Sequence, residues 1–122
     1  MKTSIVWGAS LKSNRYSHQA VLRLIGKGVP THAFGLREGE IGGVVVKNDP
    51  SYFRMIPNID TLTLYLSSQH QETYLPLWLE LKPKRILFNP GTENPAIYPV
   101  LREAGIEVEE ACTLVLLSTN QY

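Results

Sequence analysis

Short apolar runs alternate along the chain with segments in which apolar residues recur every three or four positions. Five strands are predicted from these runs, at residues 4–7, 32–34, 61–66, 85–88 and 106–109. Helical periodicity follows the first, third and fourth runs, and three consecutive valines at 44–46 predict a short additional strand. Because strands that alternate with helices are typical of parallel sheets, we expect a Rossmann-like, doubly wound α/β domain with helices on both faces.

The composition of the five strands suggests their order in the sheet. The first and fourth are continuously apolar, as strands covered on both faces are, whereas the third and fifth alternate between apolar and polar residues. We therefore expect the alternating strands at the edges of a five-stranded parallel sheet with the order 3-2-1-4-5. In that order the chain reverses direction between the first and fourth strands. Open α/β sheets bind ligands at such a switch point, beyond the carboxyl ends of the strands.

Composition and charge narrow the classes of function. The chain of 122 residues has the length of one domain, and 43% hydrophobic and 19% charged residues are typical of a soluble globular protein. Lys and Arg number 12 against 11 for Asp and Glu, so the basic excess of nucleic-acid-binding proteins is missing. No apolar run approaches the ~20 residues that span a membrane, and a secretory signal is not recognisable. We expect one cytoplasmic domain, residues 1–122, that binds neither nucleic acid nor membrane.

Cysteine and histidine give little support for metal or disulfide chemistry. Cys112 is the one cysteine of the sequence, which excludes an internal disulfide and suits a reducing compartment. The three histidines are scattered without the spacing of metal ligands. Cys112 follows the last predicted strand, at the rim of the expected crevice, where it is either a buried inert thiol or a reactive one.

The turn after the first strand has the composition of a phosphate-binding loop. Gly8 permits a tight turn, Ala9 and Ser10 let a ligand approach closely, and the amides that open the next helix attract phosphate. The same segment supplies polar and basic side chains from Lys12, Asn14, Arg15 and Ser17. One glycine followed by Ala-Ser is not the G-x-G-x-x-G fingerprint of dinucleotide sites. The alternative is a polar turn in which Ser17 only caps the helix.

The residues after the second strand favour a phosphorylated ribose. An NAD site is expected to offer an acidic residue there, whereas this chain has Gly35 and, two positions later, Arg37. A cation suits the 2′-phosphate of NADP or the 3′-phosphate of coenzyme A (CoA). The alternative is that Arg37 is solvated surface.

A second turn, NPGTEN at residues 89–94, follows the fourth strand. Its proline and glycine force the chain to turn, and its last asparagine starts a helix whose amides face the same crevice. Glu93 is a candidate general base, although a glutamate just before a helix is more often a partner of the helix dipole.

The chain resembles the small stand-alone bacterial CoA-binding proteins, relatives of the N-terminal CoA-binding domain of the succinyl-CoA synthetase alpha subunit. The resemblance rests on five segments in this order and at these distances: VWGAS, RYS, IDTLTLYL, LKPKRILFNPGTENP and GIEVEEACTLVLL. It runs from Ile5 to about Leu117. Its most specific parts are the GAS turn, the N-P-G-x-E-N turn and the cysteine after the fifth strand.

The resemblance implies a five-stranded Rossmann-like domain that binds CoA across the carboxyl ends of its strands. Its motifs assign phosphate contacts to Gly8, Ala9 and Ser10, charge neutralisation to Lys12 and Arg15, and the pantetheine side to Asn89, Pro90 and Gly91. Relatives often have a Val-Asn-Pro-like turn after the second strand, where this chain has Phe-Gly-Leu-Arg. The phosphohistidine domain of the synthetase and an ATP-binding module are not recognisable, so ligase activity by this chain alone is not expected.

Two classes of function remain, a binding module and an enzyme. The module would hold CoA or an acyl-CoA and act as a sensor, carrier or regulatory subunit, as a homodimer or with a partner protein. The enzyme would be an NADP-dependent oxidoreductase, or an acyl-transfer enzyme that uses Cys112 with Glu93. Because the sequence supplies no set of nucleophile, base and orienting group, we expect the module. A third hypothesis is a vestigial cleft in a protein that acts through its partners.

Overall fold

The structure, a computed structural model, describes residues 2–122. Its strands are β1 (Ser4–Trp7), β2 (Thr31–Phe34), β3 (Gly39–Ile41), β4 (Val44–Lys47), β5 (Thr61–Leu64), β6 (Arg85–Phe88) and β7 (Glu107–Glu110). Its α-helices are α1 (Tyr16–Gly26), α2 (Leu75–Leu81), α3 (Tyr98–Glu103) and α4 (Thr113–Ser118). Short 3-10 helices occupy Pro50–Met55, Ser68–His70 and Pro95–Ile97. None of the helices in residues 2–122 is long and apolar enough to cross a membrane.

The domain is α/β and its sheet is mostly parallel, as predicted, but the predicted number and order of the strands are wrong. Seven strands are arranged in the order β3-β4-β2-β1-β5-β6-β7. The third predicted strand, β5, pairs with β1 and β6 in the middle of the sheet, and the fifth, β7, lies at an edge. The valine run forms β4, which pairs in parallel with β2 and antiparallel with β3, so a hairpin extends the sheet beyond β2.

The misplacement of β5 has a physical cause. Its polar residues, Thr61 and Thr63, are completely buried although they alternate with leucines. Arg85 Nε donates to Thr61 Oγ1 at 2.7 Å, and Asn89 Nδ2 donates to Thr63 Oγ1 at 2.8 Å. Buried hydroxyls are tolerated where they have hydrogen-bond partners, so an alternating pattern here marks an internal polar network and not a solvent-facing edge.

The corrected order moves the switch point of the sheet. The chain runs from β1 outward to β2 and the hairpin, then returns to β5 and continues to β7 on the other side. The reversal therefore lies between β1 and β5, and the five strands common to both descriptions have the flavodoxin-like order. One face of the sheet packs on α1 and α4 through residues such as Val21, Leu24 and Leu117. The other packs on α2, α3 and the first 3-10 helix through residues such as Phe53, Trp78 and Leu101.

Helix α2 begins later than the periodicity predicts. The sequence pattern indicates a helix over residues 69–81 that bends or restarts at a proline, whereas the α-helical part begins at Leu75. Pro76 lies in the first turn of α2, where its missing N–H costs no helical hydrogen bond. The residues before it form the separate 3-10 turn Ser68–His70.

Candidate functional site

The candidate site is a crevice at the carboxyl edge of the sheet, centred on the switch point between β1 and β5. Its walls are the loop after β1, residues 8–15, and the segment after β5, residues 65–67. The NPGTEN turn after β6 and residues 111–112 after β7 continue the same edge. Because parallel strands end at one edge, the segments that the sequence singled out are brought to the same side of the molecule.

Gly8 sets the base of this crevice. Its φ is +104°, a conformation that favours glycine. A Cβ at Gly8 would lie 3.1 Å from the carbonyl carbon of Tyr65, so the two walls approach backbone to backbone. The amides of Gly8 and Ala9 both donate to the carbonyl of Phe34, at 2.9 and 2.8 Å. The turn is therefore fixed by β2 and leaves neither amide for a ligand.

Ser10 and Ser17 hold the loop after β1 together. The Ser10 amide donates to Ser17 Oγ at 3.1 Å, and the Lys12 amide donates to Ser10 Oγ at 3.1 Å. The ring nitrogen Nδ1 of His18 lies 3.0 Å from the Ser10 carbonyl oxygen. Ser17 is buried inside α1 and does not cap it, since the N-cap is Arg15. The three amides of the GAS turn are therefore used within the chain, which sequence reasoning did not anticipate.

Free backbone donors lie instead at the beginning of α1. Within residues 2–122, the amides of Tyr16, Ser17 and His18 have no hydrogen-bond partner, and Arg15 makes no side-chain cap. The first turn of α1 contains no acidic residue. The side chains of Lys12, Asn14 and Arg15 are exposed beside these amides. Unpartnered N–H groups, the positive end of the helix dipole and two cations together form an anion-binding arrangement.

The two residues singled out after β2 have different environments. Gly35 is buried, and its amide donates to the Lys47 carbonyl at 3.0 Å. A Cβ at Gly35 would lie 2.3 Å from the carbonyl oxygen of Ala9, so this position tightens the contact between the loops after β1 and β2. Arg37 is exposed two residues further along, and its guanidinium makes no hydrogen bond with the described residues. Arg37 is thus a cation open to solvent at the same sheet edge.

Asn89 begins the NPGTEN turn from a buried position. Its amide nitrogen donates to Thr63 Oγ1 and to the Leu64 carbonyl at 2.8 and 2.9 Å, and its Oδ1 accepts the Thr113 amide at 2.8 Å. These bonds join β5, β6 and the start of α4. A ligand therefore cannot reach the Asn89 side chain without breaking an internal network.

Pro90, Gly91 and Glu93 are the exposed residues of the NPGTEN turn. Gly91 has a φ of +94°, and a Cβ there would have no atom within 4 Å. Glu93 Oε1 accepts the Gly91 amide at 2.9 Å, so this carboxylate stabilises its own turn. Pro90 and Gly91 thus present open surface, while Glu93 is engaged locally.

Cys112 lies between β7 and α4, half-buried and with a free thiol. Tyr65, at the end of β5, has a buried hydroxyl without a hydrogen-bond partner among the described residues. Burial raises the pKa of Tyr65 to about 12, because the phenolate would be poorly solvated.

The comparisons with known proteins identify the family. The sequence profile of a family described as the CoA binding domain matches residues 2–118. The chain belongs to the CoA binding domain family. A solved structure of an uncharacterised protein is 39% identical, with a TM-score of 0.91 and coverage of 100% of this chain and 98% of that one. No protein of curated function matches the chain.

More distant structures share the fold of this CoA binding domain. A protein from Thermus thermophilus is 22% identical, with a TM-score of 0.86 and coverage of 99% of this chain and 90% of that one. A conserved hypothetical protein from Pyrococcus furiosus is 20% identical, with a TM-score of 0.77 and coverage of 90% and 93%. At these identities the likeness concerns the fold alone.

The start of α1 suits an anionic ligand. Its unpartnered amides, two neighbouring cations and a first turn without acidic residues are features of anion-binding sites. Two clefts of about 310 and 360 Å³ lie elsewhere, one beside β2 and β4 and the other between the first 3-10 helix and α2. Neither of these clefts is lined by the residues of the switch point.

Proposed function

We propose that this chain binds CoA or an acyl-CoA across the carboxyl edge of its sheet and acts as a cytoplasmic binding, sensor or regulatory module. The observation that supports this most directly is the group of unpartnered amides at the start of α1, flanked by Lys12 and Arg15. Family membership supports the same ligand.

The phosphates of CoA have distinct partners in this proposal. Lys12 and Arg15 neutralise the pyrophosphate, Asn14 donates a hydrogen bond, and the α1 amides and helix dipole complete the site. Gly8, Ala9 and Ser10 shape the turn through their internal hydrogen bonds. Arg37 pairs with the 3′-phosphate, for which its exposed guanidinium at the end of β2 is suited.

The pantetheine arm crosses the outer part of the edge in this proposal. It passes over Pro90 and Gly91, which present open surface, and directs its thiol end toward Cys112. Asn89 supports the turn from beneath through its buried side chain. A flat and open path favours an extended ligand that is held by its charged end.

A binding role is better supported than acyl transfer by Cys112 with Glu93. The Glu93 carboxylate accepts the Gly91 amide within its own turn, so it is occupied with holding backbone. A general base must instead lie within hydrogen-bond reach of the group whose proton it accepts. A sensor of this kind would pass its signal to a second copy of the chain or to a partner protein.

A thermal-shift titration with CoA, acetyl-CoA, NADP, NAD and ATP tests the proposal, because a ligand that binds only the folded chain raises its melting temperature. We expect a selective shift with the CoA compounds. A shift with NADP alone would instead assign Arg37 to the 2′-phosphate of NADP and favour an oxidoreductase. No shift with any of these ligands would reject the proposal.

Arg15→Ala tests the phosphate site by calorimetry. Loss of one charge-assisted contact is expected to weaken CoA binding roughly tenfold without changing the melting temperature of the free chain. Arg23→Ala is the matched control, since Arg23 is exposed in the last turn of the same helix. Equal CoA affinity of the two variants would contradict a phosphate role for Arg15.

A further inference from the structure

Gln71 is a fully buried polar residue that lies outside every motif singled out in the sequence. It follows the 3-10 turn Ser68–His70, behind the outer wall of the crevice. Its Nε2 donates to the carbonyl of Leu66 at 2.9 Å and to that of Thr92 at 2.7 Å. Its Oε1 accepts the side-chain amide of Asn94 at 3.1 Å. Both N–H donors and the oxygen of this amide thus bind residues of two loops, the segment after β5 and the NPGTEN turn.

These bonds connect the segment after β5 to the NPGTEN turn after β6. Asn89 makes a first connection at the base of the loops, where its Nδ2 donates to the Leu64 carbonyl. Gln71 makes the second connection two residues further out, at Leu66. Two connections at different distances from the sheet fix both the separation of the loops and their relative orientation. With one connection the loops could still rotate about it.

The outer part of the NPGTEN turn depends strongly on Gln71. Thr92 folds back on Asn89 through its amide and its hydroxyl, at 2.9 and 2.8 Å, which closes the turn on itself. Its carbonyl, however, points to Gln71, and loss of that donor would leave a buried carbonyl without a partner. The turn would then shift to regain a hydrogen bond, and Pro90 and Gly91 would move with it.

We propose that Gln71 is a positioning residue for the pantetheine arm of CoA. It holds the Pro90–Gly91 surface at a fixed distance from the segment after β5 and so keeps the path of the arm open. Its side chain forms no hydrogen bond with the start of α1, where the phosphates are assigned, so we expect its influence to be confined to one half of the ligand. This inference rests on the proposed function.

The test compares ligands that contain or lack the pantetheine arm. Calorimetry on the full chain measures binding of CoA and of 3′,5′-ADP, which keeps the 3′-phosphate and one phosphate of the pyrophosphate but lacks the arm. Gln71→Met keeps the length of the side chain and removes its hydrogen bonds. We expect CoA affinity to fall roughly tenfold and 3′,5′-ADP affinity to stay unchanged. Gln69→Met, at an exposed position of the adjoining 3-10 turn, is the control and should alter neither affinity.

The outcomes separate positioning from general stabilisation. Equal losses for both ligands would indicate a structural role only, and unchanged CoA affinity would also overturn the inference while leaving the proposed function intact. Absence of CoA binding by the unmodified chain would reject both. If Gln71→Met does not fold, Asn94→Ala removes one hydrogen bond of the same connection. It should also lower CoA affinity more than 3′,5′-ADP affinity, but by a smaller factor.

Discussion

Gly35 lies where the loops after β1 and β2 touch. A Cβ there would be 2.3 Å from the Ala9 carbonyl oxygen and 3.0 Å from a methyl group of Val46. The nearer atom belongs to the backbone and cannot rotate away. Any side chain at this position must therefore push the loop after β1 away from the loop after β2.

We expect Gly35→Ala to lower the free energy of unfolding by about 1–3 kcal/mol, the usual cost of overfilling a packed site. Urea denaturation measures the change. Gly26→Ala is the control, because a Cβ at Gly26, the last residue of α1, meets no atom within 4 Å. That substitution should be neutral or stabilise by up to about 1 kcal/mol. Similar losses in both variants would contradict the packing explanation.

The hydroxyls of Tyr65 and Tyr98 provide a matched pair. Tyr65 OH is buried without a partner, whereas Tyr98 OH donates to Glu110 at 2.8 Å and accepts the Asn94 amide at 3.2 Å. Replacement of an unpaired buried hydroxyl relieves its desolvation cost. Tyr65→Phe is thus expected to raise the free energy of unfolding by about 1 kcal/mol, and Tyr98→Phe to lower it by a similar amount. Equal losses in urea denaturation would show that Tyr65 OH has a partner.

At the scale of elements, β2 contributes a titratable group to the sheet. His32 is half-buried on this strand, and burial lowers the pKa of its imidazole below the ordinary value of 6.5. Below that pH the unfolded chain binds a proton that the folded chain resists. The contribution of His32 to stability is therefore complete above about pH 6.5 and is lost as the pH falls toward its folded-state pKa.

We expect His32→Gln to flatten the decline in the free energy of unfolding as the pH falls below about 6.5. Urea denaturation at a series of pH values measures the slope. His70→Gln, at an exposed position, should retain the slope of the unmodified chain. If both substitutions leave the slope unchanged, groups other than His32 govern stability in this range.

The sequence was informative where a pattern had one physical meaning. The apolar runs located every strand except β3, because a continuous apolar run is explained only by burial. Gly8 was correctly expected in a tight turn, because its backbone conformation favours glycine. The alternation of β5 had two meanings, a solvent-facing edge or buried threonines with partners 24 and 26 residues away. An edge position was predicted for β5 because the threonines and their partners become neighbours only in the folded sheet.

The site shows the same limit. The amides that open α1 were predicted as donors and have no partner among the described residues, but the three amides of the GAS turn are satisfied by Phe34 and Ser17, which was not predicted. Gln71 belongs to a polar stretch, SSQHQET, in which no buried residue was predicted, yet it is completely buried. Its role depends on two loops whose approach the sequence does not reveal.

For the molecule as a whole, the central strands organise both cores. β1 and β5 lie side by side, with Trp7 and Leu64 packed on one face of the sheet and Val6 and Ala9 on the other. A fully buried valine or leucine side chain contributes roughly 1.5–3 kcal/mol, so these two strands contribute to the stability of both cores. The crevice thus lies directly above strands that are buried on both faces.

The two outer strands of the sheet, β3 and β7, affect association between molecules of this protein. β7 exposes Glu107 and Glu110, and β3 exposes Glu40, so both open edges carry negative charge. Unpaired backbone groups at such edges are templates for intermolecular strand addition, and like charges disfavour it. Protonation of these carboxylates in acid would remove the repulsion. At neutral pH the ionised glutamates therefore disfavour aggregation through the edge strands.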